Sequence, residues 1–214
     1  MKRTYGRLTL CAALLACMGC AQTVTVNVFG TSQSPDPIPR DVTYSVMPTN
    51  EVEKDPAFLE YAKLVSHKMD ARGYKKTSDK TAHLGVYLAY GSTATATPTG
   101  APVPPMGVGG GMSSAGSGTG SYGMATRTPS ETTSVRQYKN QLVIVVLDLQ
   151  RSRGAGSAVE LWRGETMNTS SSNDLTQLAP LMVDAAFRHF GETTPRSVPH
   201  HFTDEESKKI RDSQ

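Results

Sequence analysis

Residues 91–134 are forty-four in a row with ten glycines and only two charged side chains, Arg127 and Glu131. Most of the rest are Ser, Thr, Ala and Pro. Such a stretch cannot bury enough apolar surface to offset the entropy lost on ordering it. It reads as a flexible loop inserted between two sheet strands. The patterned blocks on either side must then share one core, and 214 residues suit one domain with accessories.

In the first block, residues 23–29 (TVTVNVF) alternate strictly, with Val24, Val26 and Val28 on one face. That predicts a half-buried strand. Residues 30–40 hold Pro35, Pro37 and Pro39 and read as loop. Residues 42–47 predict a second strand, with Val42, Tyr44 and Val46 on one side. Asp55-Pro56 opens a helix, Asp as N-cap and Pro at the first helical position. Phe58, Ala62, Val65 and Met69 form its apolar stripe, with Tyr61 beside them. Gly73 is placed to end it in a left-handed conformation, with Tyr74 packing back. Residues 83–90 (HLGVYLAY) predict a third strand.

The second block opens with Leu142 to Leu147, apolar on both faces and so a central strand, in which an acid at Val145 would be buried unpaired. Residues 151–156 read as a Gly-rich turn. Residues 158–167 return as its hairpin partner and carry the only tryptophan, Trp162. Asn173-Asp174 start a second helix with Leu178, Met182, Ala185 and Phe187 among its apolar residues. Pro180 predicts a kink or a later start, and Gly191 an end. Residues 192–214 read as a polar tail, with a short helix capped at Thr203 and Glu206. The expected fold class is α+β, a two-layer sandwich: a mostly antiparallel sheet of about five strands with two helices on one face.

The N-terminus reads as an address. Residues 1–7 (MKRTYGR) are basic, and residues 8–17 (LTLCAALLAC) form an apolar run that suits export and is too short to span a bilayer. Gly19-Cys20 resembles the lipobox of bacterial lipoproteins, whose Cys is diacylated and becomes the mature N-terminus. Cys20 is the expected lipidation site, ending a signal peptide of residues 1–19. Cys17, after Leu14-Leu15-Ala16, is the alternative. Ala21 after the Cys is not Asp, so the resemblance to Gram-negative sorting signals implies the inner face of the outer membrane, facing the periplasm. Several acyl chains make release negligible, and Ala21 and Gln22 alone separate them from the first strand. The domain, residues 20–191, should sit against the headgroups.

Removing Lys2, Arg3 and Arg7 leaves 22 − 3 = 19 basic against 19 acidic residues. A neutral mature chain argues against a nucleic-acid partner and against a polybasic membrane patch. All three cysteines, Cys11, Cys17 and Cys20, fall in the first twenty residues, so cleavage before Cys20 leaves no thiol pair for a disulfide or a zinc–thiolate site.

Beyond the lipobox and the extended opening strand, several short motifs recur together. One helix ends in Ala71-Arg72-Gly73-Tyr74, and an apolar strand leads into a Gly-rich stretch. The hairpin carries Leu147-Asp148 and Leu161-Trp162-Arg163-Gly164, and the closing helix carries Ala186-Phe187 and Phe190. With these features the chain resembles the bacterial lipoproteins grouped as domain-of-unknown-function family 4136, over most of residues 20–191. Gly191 stands where that family often has Pro. The resemblance implies a fold and an address but no reaction.

No enzymatic activity, cofactor or metal is expected. Gly118-Thr119-Gly120-Ser121-Tyr122-Gly123 spells GxGxxG, but no strand precedes it and no helix follows to hold a pyrophosphate. His200-His201 lacks nearby acids or Cys, and His67 shares a polar helix face with Glu60 and Lys63. His189 lies late in its helix, where a cation suits the dipole. The candidate binding residues are Trp162, Asp148 and Arg163. Asp148 and Arg163 suit a cross-strand ion pair or a functional acid with its partner; Trp162 suits a core anchor or a binding hot spot. The leading expectation is a non-catalytic envelope lipoprotein that binds or scaffolds an unidentified envelope protein. The alternative is an accessory lipoprotein of lipid or solute transport, with an apolar cavity between sheet and helices.

Overall fold

The structure, a computed structural model, describes residues 23–50, 52–77, 81–96 and 136–213. Cys17, Cys20, the leader and the GxGxxG at 118–123 lie outside the described residues, as do residues 97–134 of the insertion.

The elements run β1 (Val24–Ser32), β2 (Thr43–Pro48), α1 (Phe58–Asp70), β3 (Lys75–Lys76), β4 (Leu84–Ala96), β5 (Arg136–Asp148), α2 (Leu149–Ala155), β6 (Val159–Ser170), α3 (Leu175–Arg188), β7 (Val198–Phe202) and α4 (Asp204–Asp212). The strands form one seven-stranded sheet in the order β3-β2-β4-β5-β6-β1-β7. The fold is α+β as expected, but among the described residues the sheet is larger and mixed, and four helices accompany it. β2 runs parallel to both β3 and β4 because α1 carries the chain back to the end from which β2 began, and a strand after such a crossover points the same way. The remaining pairings are antiparallel.

Residues 91–96, expected to be loop, are strand. Gly91 to Ala96 pair with Gln141 to Arg136, so β4 and β5 continue as a ribbon past Pro48, where β2 ends opposite Leu88. The stretch carries no apolar alternation, and among the described residues no helix lies over it: residues 91–95 are exposed. The expected polar tail is also built into the domain. β7 pairs with β1, and Thr203 with Glu206 forms a complete capping box at α4. An edge strand needs only an occasional apolar residue, and Phe202, fully buried, supplies it.

The first helix begins later than expected, at Phe58. Asp55 still leads into it, its Oδ1 accepting from the Ala57 N–H at 2.9 Å and its carbonyl from the Phe58 N–H at 3.1 Å. Gly73 takes φ 87°. Tyr74 N–H then reaches the Met69 carbonyl and Gly73 N–H the Asp70 carbonyl, the bond pair of a Schellman ending. Pro180 sits inside α3 without delaying its start, which Asp174 caps through the Thr176 N–H at 2.9 Å. The expected turn at 151–156 is instead α2, whose Arg151 N–H is met by the Asp148 side chain and whose Leu149 N–H donates to the His83 carbonyl.

α1 and α3 cover one face of the sheet and pack on each other. Val26 and Val28, then Leu84, Val86 and Leu88, then Leu142, Ile144 and Val146 point into that interface. Tyr61, Val65, Met69, Leu181, Met182 and Phe187 meet them from the helices.

Candidate functional site

Along β4 and β5 every second side chain goes into the core, so the others must face outward. β5 shows the consequence, since Val143, Val145 and Leu147 are only half-buried. Strand register lines them up with apolar neighbours. Met47 faces Tyr87, Tyr87 faces Val145, and Ala89 faces Val143. The expected double-sided burial of this strand is therefore corrected: it is central in the sheet, but among the described residues α1 and α3 cover only one of its faces. Val145 lies on the open face, not in the interior.

At one end of that face, α2 folds over the sheet. Gly85 makes this approach possible, since a β-carbon there would come within 2.9 Å of both Leu149 Cδ2 and Met47 Cε. The result is a cleft of about 600 Å3 lined by Met47, Tyr87, Leu147, Leu149 and Ala158, with Arg153 at its rim. A second cleft of about 440 Å3 lies along the ribbon, over Ala89, Gly91, Val143 and Lys139. Further across, Phe29 is 39% exposed on β1 opposite Glu165.

The three candidate residues do not meet as one site. Arg163 is opposite Val145 on the open face and pairs with its own strand: Glu160 accepts at 2.8 and 3.0 Å, and Glu165 stands 3.9 Å away. The Glu160 hydrogen bonds hold its guanidinium protonated to still higher pH than usual. Asp148 is opposite Val159, so the expected cross-strand pair with Arg163 does not form. A β-bulge between Val146 and Leu147 shifts the register there. Asp148 is instead a buried cap, accepting from the Arg151 N–H at 2.9 Å with Arg151 Nε 3.4 Å away.

Trp162 is fully buried under the helices, its Nε1 donating to the Glu192 carbonyl at 3.2 Å. It packs 5.0 Å from Phe190, which stacks on Phe187 at 5.2 Å. The Arg72 guanidinium lies 4.9 Å over the Phe187 ring and donates to the Phe187 carbonyl, while Tyr74 meets Phe190 edge-on. Motif residues from α1, β6 and α3 thus converge on one aromatic cluster, a packing unit without a polar cleft.

The histidines separate. His200 points to His189, with Nε2 atoms 2.9 Å apart, whereas His201 Nδ1 meets Thr25 Oγ1 at 3.0 Å. Burial, then the Arg188 charge and His189, push the His200 pKa below its ordinary value. Among the described residues no group of three or more His, Cys, Asp or Glu is placed to hold a metal ion, and no helix is long and apolar enough to cross a membrane.

A family model described as Domain of unknown function (DUF4136) matches residues 37–190. The chain belongs to the DUF4136 family. No curated protein matches it. Among solved structures, this DUF4136 chain is similar to a PDZ domain protein from Parabacteroides distasonis, with 13% identity and a TM-score of 0.48. That match covers 84% of this chain but 39% of the other. A DUF4136 family protein from Bacteroides thetaiotaomicron gives 13% and 0.42, covering 76% and 92% of the two chains. The PelC dodecamer from Paraburkholderia phytofirmans gives 12% and 0.43, covering 79% and 99%. At that distance none of these structures transfers an activity or an assembly.

Proposed function

We propose that this DUF4136 chain is a non-catalytic envelope lipoprotein, held through lipid on Cys20 at the periplasmic face of the outer membrane, and that its open sheet face binds another envelope protein. The observation that carries this reading is the row Met47, Tyr87, Val145 with Val143 and Leu147 beside it, an apolar strip on a sheet face that α1 and α3 leave uncovered. Half-buried apolar surface of this kind, rimmed by charges such as Arg163 and Glu165, suits a protein partner. The polar candidates are engaged structurally, Asp148 as a helix cap and Arg163 in ion pairs, which favours binding over chemistry. The alternative of an apolar ligand held between sheet and helices has less support. Trp162, Ile144, Leu181, Met182 and Phe187 occupy that space and are buried.

A photo-crosslinking amino acid placed in the native envelope tests the reading. At Val145 it should give a discrete adduct to one protein, and at exposed Lys63 on α1 it should not. Val143→Lys, on the same face, should abolish the Val145 adduct without altering the melting temperature. Equal labelling from both positions, or an adduct indifferent to Val143→Lys, would sink it.

A further inference from the structure

His189 closes α3, its N–H reaching the Ala186 and Phe187 carbonyls. The chain beyond it is held first at Glu192, whose carbonyl takes the Trp162 indole N–H, and then at Thr194. Thr194 N–H donates to the Gly30 carbonyl at 2.9 Å, and its Oγ1 accepts from the Gly30 N–H at 3.0 Å. Residues 195–197 lie outside helix and strand. β7 and α4 follow them at the end of the sheet, with β7 paired to β1 from Val28 opposite Val198 to Val24 opposite Phe202.

Alternation sends the two histidines of β7 to opposite faces. His201 meets Thr25, and His200 turns the other way, to His189. The His189 and His200 rings are tilted by 53°, their centroids 5.1 Å apart and their Nε2 atoms 2.9 Å apart. Two imidazoles in that geometry bond through a single proton between the facing nitrogens. A neutral pair can supply one, and so can a singly charged pair. With both rings charged, two N–H groups point at each other, the hydrogen bond is lost, and like charges meet in a part-buried place.

The charges around the pair are mixed. α3 brings Arg188 and Asp184, bound to each other at 3.0 Å, and Asp184 is shared with Lys68 of α1. The turn after α3 brings Glu192, 3.5 Å from the other ring nitrogen of His189. α4 brings Glu206, whose carboxylate feels Arg188, and β7 itself brings His201. The paired stretch of β1, Val24 to Val28, holds only Val, Thr and Asn and adds no titratable group. Burial first, then Arg188 and His189, push the His200 pKa down against the pull of Asp184.

We propose that the His189–His200 pair is a pH-sensitive latch: one proton between the rings holds β7 and α4 on the edge of β1, and a second proton releases them. Residues 195–197 are the hinge, because Glu192 and Thr194 stay bonded to β6 and β1. Phe202 is buried and the Arg188 guanidinium lies 5.0 Å over its ring, so the closed form stays the major one and acid raises the open fraction. What acid uncovers is the backbone edge of β1, an unpaired strand edge of the kind other chains pair with.

The test is hydrogen exchange by mass spectrometry on the full chain at pH 7.5 and 5.5, each rate divided by that of an unstructured peptide at the same pH. If only the open form takes up the second proton, near the ordinary histidine pKa of about 6.5, opening rises about tenfold between those pH values. Protection of residues 198–212 should fall by that factor. Residues 142–147 of β5, which exchange only when the domain unfolds, should remain several-fold better protected at both pH values. His200→Gln should abolish the fall, and His189→Gln should cut it to about threefold or less. Unchanged protection of residues 198–212 in the wild-type chain overturns the proposal. Equal protection of the two segments also overturns it, because β7 would then open only with the whole domain. So does a full tenfold fall in His189→Gln, which would make burial of His200 alone responsible. The wild-type comparison decides by itself where a variant does not fold.

Discussion

The indole of Trp162 lies over the α-carbon of Gly164, two residues further along the same strand. A β-carbon at 164 would collide with Cη2 of the ring and stand 2.7 Å from Cζ2. Neither flanking backbone nor a left-handed φ demands glycine there; the requirement comes from the ring that α3 presses onto the sheet. Gly164→Ala should therefore cost about 1–3 kcal/mol, the range for overpacking. Thermal melting with a Trp162 fluorescence readout checks this, and an unchanged midpoint would show that the ring can move aside cheaply.

Adjacent residues of β5 should respond in opposite ways to an acid. Val146 is fully buried, and Val146→Asp strands an uncompensated charge at a cost on the order of 3–5 kcal/mol. That is comparable with the whole stability of many domains. Val145→Asp faces solvent on the open side and should melt close to wild type. Urea unfolding of the two variants separates them.

Asp148 and Arg163 should behave independently. Asp148→Ala removes the α2 cap and should cost about 1 kcal/mol. A double-mutant cycle between Asp148 and Arg163 should give no coupling, whereas Arg163 with Glu160 should give about 0.2–1 kcal/mol, the span for partly exposed pairs. Coupling of the first pair would contradict the register that sets Arg163 opposite Val145 and Asp148 opposite Val159.

His200 supplies a pH dependence. Its folded pKa lies below the ordinary histidine value of about 6.5, burial being the main cause, followed by Arg188 and His189. Below that value the unfolded chain binds a proton that the folded one resists, so stability falls as pH drops beneath about 6.5. Above it the contribution is constant. His200→Gln should flatten the fall in melting temperature between neutral and mildly acidic pH; an identical slope in the variant would exclude His200 as its source.

The anchor is tested by fatty-acid labelling. Cys20→Ala should abolish incorporation and release the protein from the membrane fraction, and Cys17→Ala should not. The reverse result moves the cleavage site to the alternative lipobox.

Elements that carry their own requirement are legible in the sequence. Gly73 takes the left-handed turn because only a residue without a β-carbon is comfortable at φ 87°, and Thr203 with Glu206 caps α4 through bonds within four residues. Val24, Val26 and Val28 announce β1 by alternation alone. The elements that escaped were those whose neighbours lie far off in the chain. β7 exists because β1 lends it an edge, and Gly91 to Ala96 are strand because β5 pairs with them.

The α+β class, the apolar stripes that build one core and the short motifs that mark the family are all written in local patterns of residues. Which side of β5 is covered depends instead on packing between elements far apart in the chain. Six apolar residues in a row satisfy a doubly buried strand and a strand with one bare apolar face equally well; α1 and α3 pack on one side only, and no local pattern encodes that. The partners of Asp148 and Arg163 were settled the same way. Strand register sets Arg163 opposite Val145 and leaves Asp148 to cap a helix, and register is a property of the whole sheet rather than of any residue in it.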